Sequence, residues 1–172
     1  MSKNKLILAA SIGKCVHVAG VLNFLRLAEE YGYKTKFLGP AVNIRYLLDA
    51  VEETNPCMVA VGYRLTAEAG YRILKNLKNA VFERGLESTK FIFGGTLPVA
   101  RKAEEVGLFD VVFNGEEELS EIIAFLEGRN YKESGHAYED NLISRMESKK
   151  PYPLIRHHFG LPSIKETVSG IT

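Results

Sequence analysis

Two periods of apolar residues alternate along this chain. Residues 5–11 hold the unbroken run Leu6-Ile7-Leu8-Ala9-Ala10, as in a strand buried on both faces. Ser11-Ile12-Gly13-Lys14 breaks the run, and from Gly20 onward Val21, Leu22, Leu25 and Ala28 recur at helical spacing until Gly32. The exchange then repeats. Strands are predicted over 33–38, 58–61, 90–93 and 111–113, and helices over 42–53, 67–84, 98–106 and 116–126. The longest helix carries Tyr71, Leu74, Leu77 and Val81 on one face. The next has Pro98 near its first turn, and the last has acidic residues at its amino end. Strict alternation of strand and helix predicts an α/β domain built on a doubly wound, five-stranded parallel sheet.

Sheets of this kind bind ligands beyond the carboxyl ends of their strands, where strand order reverses. A flavodoxin-like order 2-1-3-4-5 puts that crevice between the first and third strands. Three segments then face it. The first runs from Ser11 to Ala19 and contains Cys15, Val16 and His17, with Gly20 opening the helix behind it. The second is Gly62-Tyr63-Arg64-Leu65-Thr66, and the third is Gly94-Gly95-Thr96. His17 either satisfies a local carbonyl or presents an imidazole to a ligand. Gly20, Gly94 and Gly95 are either ordinary turn glycines or places where a bulky ligand approaches the backbone. Arg64 suits a phosphate or carboxylate, and equally a solvent-exposed position or a neighbouring acid. Tyr63 reads as packing. A nucleophilic Cys15 paired with His17 is conceivable, since two residues apart in a loop can bring thiol and imidazole together.

Composition narrows the classes. The 172 residues, 46% apolar and 25% charged, suit one globular domain with an extension. A formal net charge of +1 gives no electrostatic ground for a nucleic-acid or anionic-membrane partner. No apolar run approaches the roughly 20 residues that span a bilayer, and the opening Met-Ser-Lys-Asn-Lys is no signal peptide, so a cytoplasmic protein is expected. Two cysteines, Cys15 and Cys57, are too few for a disulfide framework and lack zinc-site spacing. Neither Gly-x-x-x-x-Gly-Lys-Ser/Thr nor Gly-x-Gly-x-x-Gly occurs, which removes the usual nucleotide signatures.

The three crevice segments resemble those of the cobalamin-binding domain family, which marks them with Asp-x-His-x-x-Gly, Ser-x-Leu and Gly-Gly on the same sheet order. His17 and Gly20 match the first motif, Gly94 and Gly95 the third, and the likeness in element order covers roughly residues 4–127. Cys15 stands where the family has aspartate, and Gly62-Tyr63-Arg64 where it has Ser-x-Leu, followed by Leu65-Thr66 as in some relatives. The resemblance implies that His17 binds cobalt as lower axial ligand. The cofactor would then be base-off, its dimethylbenzimidazole tail in a slot between the sheet and its helices. The family aspartate would orient the imidazole, a role in which a thiol is a weaker acceptor.

Domain 1–127 is therefore read as the cobalamin-binding unit and 128–172 as a linker or arm. The arm contains His157 and His158, which read as surface residues or as the lining of a domain junction. It ends in a helix opened by Ser163 and Glu166 at capping-box spacing, as though a further domain followed. With the first strand starting so near Met1, the arrangement resembles the small subunit of glutamate mutase and the cobalamin domains of aminomutases. What that resemblance implies is a module of an adenosylcobalamin-dependent mutase or related corrinoid enzyme, with adenosylcobalamin favoured over methylcobalamin. A catalytic barrel domain or subunit would be its partner, and the chain alone would not turn over substrate. The alternative is a regulatory or scaffolding relative that has lost cobalamin. The sequence chooses no substrate and leaves a homo-oligomer open.

Overall fold

The structure, a computed structural model, describes residues 4–129. Its strands are β1 (Leu6–Ser11), β2 (Lys34–Phe37), β3 (Met58–Tyr63), β4 (Phe91–Gly95) and β5 (Val111–Phe113). They alternate with helices α1 (Ala19–Glu30), α2 (Ile44–Thr54), α3 (Ala67–Glu83), α4 (Leu97–Val106) and α5 (Leu119–Leu126). All pairings are parallel and the order is β2-β1-β3-β4-β5, the flavodoxin-like arrangement that the alternation predicts.

Successive strand residues point to opposite faces, and both faces are covered. Leu8, Val59, Val61, Phe91 and Phe93 pack against α2, α3 and α4 through Leu47, Leu74, Leu77 and Val99. On the other face Ile7, Ala9, Met58, Ala60 and Ile92 meet Leu25 and Ala28 of α1 and Phe125 of α5. Such double burial is why the strands read as continuous apolar runs instead of alternating ones. Strand β3 and its neighbour β4 run further than their apolar residues suggest. Gly62 and Tyr63 belong to β3, and Gly94 and Gly95 to β4, because the ladder continues Gly62↔Gly94 and Tyr63↔Gly95. Helix α5 starts at Leu119 and not at 116, since Glu117 accepts hydrogen bonds from the Asn114 and Gly115 amides and Glu118 closes a capping box with Glu121. The expectations for His157, His158 and the helix from Ser163 lie outside the described residues.

Candidate functional site

The order reverses between β1 and β3, so the crevice opens over the ends of these two strands. The loop after β1 is fixed by its backbone. Gly13 N–H donates to the Val42 carbonyl at 2.8 Å, Val42 N–H to Ser11 at 2.9 Å and Ala41 N–H to Cys15 at 2.9 Å. Gly13 holds φ +67°, and an added Cβ there would overlap Ile73. This chain segment before α2 was not anticipated as part of the site, because its contribution is made by main-chain groups that no side-chain pattern reports.

His17 is held twice. Buried Ser11 donates its hydroxyl to the His17 carbonyl at 2.8 Å, and the Cys15 sulfur lies 3.6 Å from His17 Nδ1. Cys15 is fully buried, and its sulfur also accepts the Arg64 amide at 3.3 Å, tying the loop after β1 to the end of β3. His17 itself is exposed, as are Val16 and Leu65, at 63% and 40% of their surface. In the tautomer that carries its proton on Nδ1, the sulfur accepts that proton and Nε2 keeps the lone pair that a metal needs.

The remaining candidates divide. Thr66 serves α3, accepting the Ala69 amide at 3.3 Å, while Thr96 stands at the N-cap of α4 with no side-chain cap bond. Arg64 is exposed, and its guanidinium has no ion pair among the described residues. Tyr63 is buried, as read; burial holds its phenol above the usual range, with the neighbouring Cys15 adding to the effect and Arg72 opposing it.

The glycines split into two kinds. A Cβ on Gly95 would stand 2.6 Å from the Tyr63 carbonyl oxygen, and one on Gly62 2.6 Å from a Val21 methyl, so packing within the chain requires both. A Cβ on Gly20 or Gly94 meets nothing within 4 Å. Nothing in the described part of the chain itself occupies the space above these two residues. Val21, which covers Gly62, escaped the sequence reading because it looks like any apolar helix position.

Among the described residues no group of three or more His, Cys, Asp or Glu gathers to hold a metal ion. His17 thus offers one imidazole, which suits a metal whose other positions are filled by its own macrocycle. An exposed imidazole, braced at Nδ1 by the Cys15 sulfur and standing beside open backbone at Gly20 and Gly94, fits a large planar cofactor. The class is therefore a flavodoxin-like α/β domain with a histidine at its switch-point crevice.

Comparison with known proteins gives the family. The family described as B12 binding domain matches residues 5–124, and the chain belongs to it. Among solved structures, a cobalamin-binding protein from Desulfitobacterium hafniense DCB-2 is 26% identical with a TM-score of 0.57, the match covering 64% of this chain and 53% of that one. The methanol:cobalamin methyltransferase complex from Methanosarcina barkeri is 20% identical with a TM-score of 0.60, covering 76% of this chain and 50% of that one. A monomethylamine corrinoid protein from Methanosarcina barkeri is 21% identical with a TM-score of 0.56, covering 73% and 60%. The last two likenesses concern the fold. This chain spans between 50% and 60% of the length of these relatives. No curated protein matches the chain. Among the described residues no helix is long and apolar enough to cross a membrane.

Proposed function

We propose that this chain is a cobalamin-carrying module that holds its cofactor base-off, with His17 as lower axial ligand, for a separate catalytic barrel domain or subunit. The observation that carries this is the double hold on His17: its carbonyl on Ser11 at 2.8 Å and its Nδ1 beside the Cys15 sulfur at 3.6 Å. Ser11 holds the main chain of His17 and Cys15 braces its ring at Nδ1, which leaves Nε2 as the nitrogen for a metal. Cobalamin supplies the reactive cobalt–carbon bond; the protein supplies position and axial ligation.

Each residue then has a task. His17 binds, Cys15 and Ser11 orient it, and Gly20 and Gly94 leave room for corrin and nucleotide tail. Val16 and Leu65 offer apolar contact on the exposed rim, and Arg64 faces polar substituents there. Carrying adenosylcobalamin for a mutase is our first reading. The second, carriage of a methyl group, has in its favour that two solved structures with this fold are a methanol:cobalamin methyltransferase complex and a monomethylamine corrinoid protein.

The test is a visible-spectrum titration with hydroxocobalamin, methylcobalamin and adenosylcobalamin, repeated on His17→Ala. Saturable binding, with a base-off, histidine-ligated spectrum that disappears in the variant, is expected. Saturable binding with a spectrum unchanged in His17→Ala removes His17 as ligand. No binding at all favours a relative that has lost the cofactor. Exclusion of adenosylcobalamin alone replaces the mutase reading with the methyl-carrying one.

A further inference from the structure

The crevice carries cations and no acid. Its segments, 11–20, 39–43, 62–66 and 94–96, contain Lys14 and Arg64 but neither Asp nor Glu. Both cations are exposed, and neither has an ion pair among the described residues. The amino ends of α1, α3 and α4, which carry partial positive charge, adjoin the same crevice. The acid in their first turns is Glu68, and it lines a recess between α3 and α4 with Arg72 and Lys102. Beyond β5, Glu117 is taken up by the Asn114 and Gly115 amides. The main chain of Arg64 is fixed beside the candidate ligand: its amide donates to the Cys15 sulfur at 3.3 Å, and that sulfur lies 3.6 Å from His17 Nδ1.

From this charge distribution, and resting on the carrier reading above, we infer that Arg64 sets the redox poise of the cofactor and favours the reduced metal. The step is Co(II) to Co(I). The metal takes one electron from a low-potential one-electron donor, and the imidazole nitrogen leaves it with its lone pair. The charge of the metal centre falls by one, so a fixed cation nearby stabilises the product more than the reactant. Cys15 acts in the same direction. An outer-shell acceptor makes a ligating imidazole more basic, and a more basic ligand holds the higher oxidation state. A thiol does this less than the carboxylate of the family motif. The leucine of that motif, at the position of Arg64, would bring no charge at all.

The test is an anaerobic redox titration of the full chain loaded with cobalamin, at low salt, poised with titanium(III) citrate and followed through the visible spectra of Co(II) and Co(I). Arg64→Lys, Arg64→Leu and Arg64→Glu step the charge from positive through zero to negative at an exposed position. An exposed unit charge beside a redox centre shifts a one-electron equilibrium about threefold, or about 30 mV at about 59 mV per tenfold. At one fixed poise the Co(I)-to-Co(II) ratio is expected to stay native in Arg64→Lys. It should fall about threefold in Arg64→Leu and about tenfold in Arg64→Glu, and the differences should shrink in about 1 M salt. Equal potentials across the series, with the His17-ligated spectrum intact, overturn the inference alone. So does a ratio in Arg64→Lys that falls as far as in Arg64→Leu, since that ties the effect to the guanidinium's shape and not to its charge. A spectrum unchanged in His17→Ala, or no uptake of cobalamin, overturns the reading on which the inference rests.

Discussion

The Cys15 sulfur stands 3.6 Å from Nδ1 of His17 and simultaneously accepts the Arg64 amide at 3.3 Å. One buried atom thus orients the candidate ligand and fastens two loops of the crevice. The family motif places a carboxylate at this position. The geometry explains how a thiol can occupy it: from a fully buried position the sulfur reaches both the His17 ring and the Arg64 amide.

Replacing Cys15 separates bracing from packing. In Cys15→Asp a carboxylate accepts both N–H groups more strongly, and cobalamin affinity is expected to rise about 10–100-fold, the usual worth of an outer-shell partner to a metal ligand. Folding stability should fall in the same variant, because a charge enters a fully buried site. Cys15→Ala should weaken binding. Spectral titration paired with urea unfolding reads the two effects, and equal affinities in all three proteins would remove the brace.

Gly94 and Gly95 are neighbours that should respond in opposite ways. Gly95→Ala forces a Cβ to within 2.6 Å of a backbone oxygen and 2.7 Å of the Phe93 ring. It is expected to destabilise the fold by about 1–3 kcal/mol. Gly94→Val adds bulk where no atom lies within 4 Å. It should leave the urea midpoint little changed, yet lower the affinity for cobalamin while sparing cobinamide. A Gly94→Val chain that binds both corrinoids like the native one would mean that the nucleotide tail lies elsewhere.

The architecture was legible because each strand is buried on both faces and each helix repeats its apolar face at helical spacing, so Leu6–Ser11 and Ala67–Glu83 announce themselves. Strand ends were harder. Glycine has no side chain to mark a period, so Gly62, Gly94 and Gly95 looked like loop although the ladder runs through them. The crevice residues His17, Gly20 and Gly94 came from spacing within a motif. What spacing could not supply was the function of contacts made across the fold. Examples are Ser11 on the His17 carbonyl, Val21 over Gly62, and the Ala41 amide on the Cys15 carbonyl. Those depend on how β1, α1 and the segment before α2 meet.

Tyr63 provides a pH prediction whose sign follows from its burial. Desolvation, reinforced by Cys15 and opposed by Arg72, raises the phenol above the 10.0 of a free tyrosine. A group with a raised folded-state value contributes stability that is complete below its unfolded value and is lost as pH climbs through the folded one. Stability should therefore hold to about pH 10 and decline beyond it. Tyr33 is raised by burial as well and contributes in the same direction. Tyr63→Phe removes the ionisable oxygen but keeps the ring against Gly13 and Gly70, so its urea midpoint should fall less steeply between about pH 10 and 12. Parallel decline of the two proteins across that window would show that Tyr63 does not govern the alkaline transition.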